Sequence, residues 1–209
     1  MKNYLVEFIG TFFLVFVIGL TVLNPGAGAM APVAIGCILM VMVYSGGPIS
    51  GGHYNPAVTL AVFLRTKGPT KDVMPYWVSQ FLAAGAASQL VLILKPGAVI
   101  TPTPLNATSV LIVESLFTFA LCFVVLSVAT SKKTSGNSYF GLAIGATVLA
   151  SAYAAGPISG GAFNPAVALG TTLMGLSGRA NLWTFLLAEF IGGAIAALIY
   201  RAVNPDEVA

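Results

Sequence analysis

Apolar residues run along this chain in six long stretches, about 4–23, 31–46, 74–94, 108–130, 138–155 and 182–202. Most are close to the ~20 residues that a helix needs to cross a hydrocarbon core roughly 30 Å thick. The pattern predicts an all-α chain of six membrane-spanning helices joined by polar or Pro/Gly-rich connections at 24–30, 65–72, 95–106, 131–138 and 175–181. Two glycine-rich turns interrupt it: Gly47-Pro48-Ile49-Ser50-Gly51-Gly52-His53-Tyr54-Asn55-Pro56-Ala57-Val58, and its near copy Gly156-Pro157-Ile158-Ser159-Gly160-Gly161-Ala162-Phe163-Asn164-Pro165-Ala166-Val167, 109 residues further on. Each leads into a short apolar segment, 55–64 and 164–174. As a helix each reaches about 15 Å, half the hydrocarbon thickness. Laid end to end from opposite faces, the two together make one span. A polar turn at membrane depth is tolerated only where it is buried in protein or lines a wet path.

The chain reads as a duplication, with residues 1–98 and 108–205 as its halves. Glu7 recurs as Glu114, and Gln80 recurs as Glu189 at the turn's own offset. Three spans per half is an odd number, so the second half enters the bilayer inverted. Inverted repeats with broken helices place their site near the midplane. The basic residues choose an orientation. With both termini cytoplasmic, Lys2, Arg65, Lys67, Lys71, Lys132, Lys133 and Arg201 lie inside, and only Lys95 and Arg179 outside.

Composition narrows the class further. Charged residues make up 7% and hydrophobic residues 57% of the chain, against roughly 25% charged in soluble domains. The first stretch contains Glu7 and exceeds the length of a signal-peptide core, so it reads as a retained span. There is no basic run of the kind that binds nucleic acid. Cys37 and Cys122 fall inside apolar stretches and read as small buried side chains. No nucleophile–base set or metal-ligand spacing appears, so an enzyme is not expected.

The chemistry concentrates at the turns. Asn55 and Asn164 each precede Pro-Ala, a good helix cap followed by a residue suited to the first turn. If the two side chains meet at mid-membrane, their oxygens cap the half-helices and their amide N–H groups face a lumen. The positive helix ends, Asn55-Pro56-Ala57 and Asn164-Pro165-Ala166, then converge and repel cations and protons. The low-bulk residues Gly51, Gly52, His53 and Tyr54, with Gly160, Ala162 and Phe163, offer backbone carbonyls as acceptors along one line. Glu7 and Glu114 are expected to brace the turns by accepting loop N–H groups, and the role of Glu189 is left open. His53, the sole histidine, reads as a packing or gating residue.

As a set, Glu7-Phe8-Ile9-Gly10-Thr11, Ser50 through Thr59, Tyr76-Trp77-Val78-Ser79-Gln80, Gly141-Leu142-Ala143-Ile144-Gly145 and Phe163-Asn164-Pro165-Ala166 resemble the aquaporin (major intrinsic protein) family across essentially the whole chain. The resemblance implies six spans plus two re-entrant half-helices, one pore per subunit and a homotetramer. It also implies single-file passage of water or small neutral solutes, with no cofactor. Family members usually carry an arginine directly after the second Asn-Pro-Ala; here that residue is Val167. The same resemblance puts Ile35, Ala152 and Gly161 at the other constriction positions. That ring has no polar side chain, so it is expected to be wider and to pass glycerol, urea or dissolved gases besides water. The position after Val167 is Ala168, and Phe185-Leu186 stands where water channels often have phenylalanine-tryptophan, so the solute markers are mixed. Two other readings use the same features: a secondary transporter with inverted repeats, and a non-conducting membrane interaction protein.

Overall fold

The computed structural model describes residues 1–66, 70–98, 102 and 104–207; Lys67, one of the charges used for orientation, lies outside the described residues. Six long helices are apolar enough to cross a membrane. They are α1 (Lys2–Val22), α2 (Ala31–Ser50), α4 (Val73–Leu94), α5 (Ala107–Val125), α6 (Phe140–Ser159) and α8 (Leu182–Val203), with two short helices between them, α3 (Pro56–Thr66) and α7 (Pro165–Leu173). The same order of long, long, short and long helix thus occurs twice. Among the described residues there is no β-strand.

The second and fifth spans run farther than hydropathy predicts, through Pro48 to Ser50 and through Pro157 to Ser159. A proline near a helix's end forfeits one backbone bond where the helix is about to stop anyway. Both helices then close on a left-handed glycine, Gly51 at φ 94° and Gly160 at φ 93°, whose N–H groups return to Gly47 O and Gly156 O at 2.9 Å. The fourth span ends in a π-helical turn, Leu126–Thr130. There the Thr134 hydroxyl donates to Ser127 O and the Asn137 amide to Val128 O, each at 2.7 Å.

Helix α1 packs on α2 and α4, α5 packs on α6 and α8, and α2 crosses α6. Small residues set these crossings. A β-carbon on Gly36 would lie 2.7 Å from Gly145 O, and one on Gly193 would lie 2.8 Å from Ala57 O. Close backbone approach of this kind is how helices associate where water supplies no hydrophobic drive between them. The radial pattern is that of a membrane protein. Leu5, Leu82, Ile93, Leu116, Trp183 and Leu198 are exposed on the outside, while Glu7, Gln80, Glu114 and Glu189 are fully buried within.

Hydrogen bonds define the two faces. On one, Tyr4 donates to Asp72, and Glu207 accepts from Arg65 and Ser131. This termini face therefore gathers both ends of the chain, the outer end of α3 and the α5–α6 connection. On the far face the Lys95 ammonium donates to Leu20 O, Leu23 O and Pro25 O, and Tyr153 donates to Ala29 O.

Candidate pore

The two half-helices meet at their N-termini. Asn55 Oδ1 accepts the Ala57 and Val58 N–H groups at 2.8 and 3.4 Å. Asn164 Oδ1 accepts those of Ala166 and Val167 at 2.9 and 3.4 Å. Each oxygen thereby satisfies N–H groups that a helix start leaves without partners. The amides reach across: Asn55 Nδ2 donates to Phe163 O at 2.9 Å, and Asn164 Nδ2 donates to Tyr54 O at 2.8 Å. An asparagine amide carries two N–H donors, so one on each side chain serves the joint and one is left for the cavity that both residues line.

Tyr54 and Phe163 hold φ of 50° and 51°, a left-handed conformation that costs a non-glycine residue about 1–2 kcal/mol. Buried carboxylates keep them there. Glu7 accepts from Ser50 Oγ and His53 N through Oε1, at 2.7 and 2.9 Å. Its Oε2 accepts from Tyr54 N and Gln80 Nε2, at 2.6 and 2.9 Å. Glu114 repeats this with Ser159 Oγ at 2.6 Å, Ala162 N at 3.1 Å and Phe163 N at 2.7 Å. The halves differ at the next layer. Gln80 donates to Glu7 and to Thr59, whereas Glu189 accepts the backbone N–H of Asn164 at 3.0 Å.

Three cavities lie in series along these loops. On the termini face one of about 650 Å³ is bordered by Gly51, by Val128 through Lys132 and by Thr134 through Asn137. At the centre one of about 30 Å³ touches Gly52, His53, Asn55, Gly161, Ala162 and Asn164 on one wall, and Leu14, Leu39, Leu121, Ile144 and Val148 on the other. That volume holds a file of about two waters. On the far face a third cavity, about 280 Å³, is lined by Ile35, Ala152, Gly160, Gly161, Ala162 and Val167. Ile18, Ile35, Gly161, Ala162 and Val167 line both the central and the far cavity, so they stand where the two meet, and Ala152 borders only the far one.

Of the residues expected to offer carbonyls, Gly51, Gly52, His53, Gly160 and Ala162 each border one of these cavities. Tyr54 and Phe163 border none of the three, and their carbonyls accept the opposing asparagine amides. Their side chains are buried as well, at 1% exposure, Tyr54 donating to Met42 O at 2.9 Å and Phe163 resting on Phe117. His53 lines the central cavity while its Nδ1 lies 3.1 Å from Thr59 Oγ1. Ser50 and Ser159 escaped sequence reading. Each both donates to a glutamate and accepts the N–H of Gly52 or Gly161 at 3.1 Å; their repetition at equal places in the two turns was the available signal.

A six-span bundle whose half-helices meet tip to tip beside a narrow, partly polar passage is a membrane channel for water and small solutes, not an enzyme. The chain matches the model of the major intrinsic protein family over residues 1–200, and it belongs to that family. It is 37% identical to aquaporin NIP1-4 of Oryza sativa subsp. japonica over 214 residues, 98% of this chain and 77% of the relative. It is 33% identical to the glycerol uptake facilitator protein-like 6 of Lactiplantibacillus plantarum, over 99% of this chain and all of that protein. Its fold matches the X-ray structure of the aquaglyceroporin from Plasmodium falciparum with a TM-score of 0.81 at 21% identity, covering 99% of this chain and 98% of that one.

Proposed function

We propose that this channel passes water together with larger uncharged solutes such as glycerol and urea, and refuses ions and protons. One observation carries the breadth: the junction between the central and far cavities is formed by Ile18, Ile35, Gly161, Ala162 and Val167, none of which has a polar side chain. A ring without a cationic donor neither attracts anions nor demands that a permeant match a fixed hydrogen-bond pattern. Ion refusal is assigned to the joined half-helices, each contributing roughly half a positive charge at the asparagines. In this reading residues 1–98 and 108–205 act as inverted repeats, Glu7 and Glu114 brace the loops, and the exposed carbonyls of Gly51, Gly52, His53, Gly160 and Ala162 replace a permeant's lost hydration. Both termini are cytoplasmic, and four subunits associate with one pore each. The kinship to a glycerol uptake facilitator-like protein along its full length supports the solute class.

Stopped-flow swelling of proteoliposomes tests this. The wild type is expected to admit water, glycerol and urea without dissipating a proton gradient. Val167→Arg is expected to cut glycerol and urea entry tenfold or more while keeping part of the water flow. Failure of glycerol and urea to enter the wild type, or equal entry in the variant, overturns the assignment of this ring.

A further inference from the structure

Helix α1 follows the passage along its length. Leu14 borders the central cavity, Ile18 borders both the central and the far one, and Val22 borders the far one. Residues four apart share a helix face and lie about 6 Å apart along the axis, so α1 shows the lumen one branched side chain per turn. Helix α6 passes the same level differently. Val148 belongs to the central cavity and Ala152 to the far one, and no residue of α6 borders both.

The junction therefore takes its girth from three side chains on three helices: Ile18 on α1, Ile35 on α2 and Val167 on α7. Gly161 and Ala162 complete it with little more than backbone, and across it the cavity falls from about 280 to about 30 Å³. The three bulky members are all β-branched and helical, which leaves each with one strongly preferred rotamer about its first side-chain bond. Such side chains do not swing aside for a permeant. Nor can α1 retreat. A β-carbon on Gly19, the residue after Ile18, would lie 2.6 Å from Met174 Sδ and 2.7 Å from Val91 Cγ2, and one on Gly10 would strike the Tyr54 ring. The helix already lies against its neighbours as closely as backbone allows.

We propose that Ile18 is a size-determining residue of the channel, the third fixed wall of its narrow junction. With Ile35 and Val167 it limits the carbon skeleton of the uncharged solutes that pass. Selection at this level works by girth, since none of the three side chains can form a hydrogen bond. The inference rests on the neutral-solute reading above.

The test measures entry of water, glycerol and erythritol into proteoliposomes holding the wild type, Ile18→Ala, Ile18→Val or Val15→Ala. Erythritol exceeds glycerol by one carbon with its hydroxyl, and a fixed apolar site discriminates a single carbon by about tenfold or more. The wild type is therefore expected to admit erythritol at no more than about a tenth of the glycerol rate. Ile18→Ala is expected to raise the erythritol-to-glycerol ratio at least about threefold, part of that discrimination, and Ile18→Val to raise it less. Val15 is fully buried on the same helix, beside Gly170, and borders none of the three cavities. Val15→Ala hollows the bundle without touching the passage, so it is expected to keep the wild-type ratio. A ratio unchanged by both Ile18 variants, or raised equally by Val15→Ala, overturns the assignment of Ile18 and leaves the channel reading standing. So does a wild type that passes erythritol as readily as glycerol. A wild type that swells in water but never admits glycerol overturns both readings.

Discussion

Replacing Glu7 by glutamine changes one atom's chemistry at nearly constant volume, and the structure states what that atom does. Four donors converge on the carboxylate: the Ser50 hydroxyl and His53 N–H on one oxygen, the Tyr54 N–H and Gln80 amide on the other. A glutamine keeps one oxygen and presents an NH₂ group in place of the second. With the nitrogen beside Ser50, the hydroxyl turns round to accept, but the His53 N–H loses its partner. With the nitrogen beside Tyr54, Gln80 reverses its own amide, but the Tyr54 N–H loses its partner, and with it the tie holding φ at 50°. Either way one buried backbone N–H is stranded, at a cost of about 1–3 kcal/mol. For a chain of this size each kcal/mol moves the unfolding midpoint by roughly 2–4 °C, so we expect a drop of about 2–12 °C. Water flux is also expected to fall, since Asn164 is anchored on Tyr54 O. Thermal unfolding in detergent, followed by tryptophan fluorescence, and stopped-flow swelling measure the two effects. A variant melting within a degree of the wild type with undiminished flux refutes the bracing argument.

Two further outcomes follow from packing and charge. Gly193→Leu puts a side chain where a β-carbon already lies 2.8 Å from Ala57 O, so monodisperse protein should be lost on gel filtration; Gly85→Ala, where nothing lies within 4 Å, should be harmless. On the termini face, donation from Ser131 and Tyr200 lowers the Glu207 carboxyl from the ordinary 4.5 to about 2, with Arg65 at 3.1 Å. A folded-state value below the unfolded one adds stability above pH 4.5 that is lost as pH falls toward 2. The melting difference between the wild type and Glu207→Gln should therefore be full at pH 7, shrink below about pH 4.5, and vanish near pH 2.

Some of the pore is legible in residue order because its cause is local. The half-helices start one residue later than their asparagines, at Pro56 and Pro165, since an asparagine caps a helix rather than joining it. Glu7 and Glu114 stand out because a carboxylate in an apolar stretch needs donors, and the loops have spare N–H groups. Glu189 was opaque because the first half has glutamine at the matching place, so no repeated acid pointed to its partner, the Asn164 N–H.

Apolar run length, cap chemistry and the doubled turn were enough, from sequence, to specify six spans, two half-helices and the asparagines at their tips, because each of these is written in a continuous stretch of chain or a repeated motif. Tertiary structure alone decided that the Tyr54 and Phe163 carbonyls join the two loops and that Glu189 holds the Asn164 N–H. Those relations join loops and helices that lie far apart along the chain. A hydrogen bond is made or lost over a few tenths of an ångström, and only the packed bundle sets distances that finely.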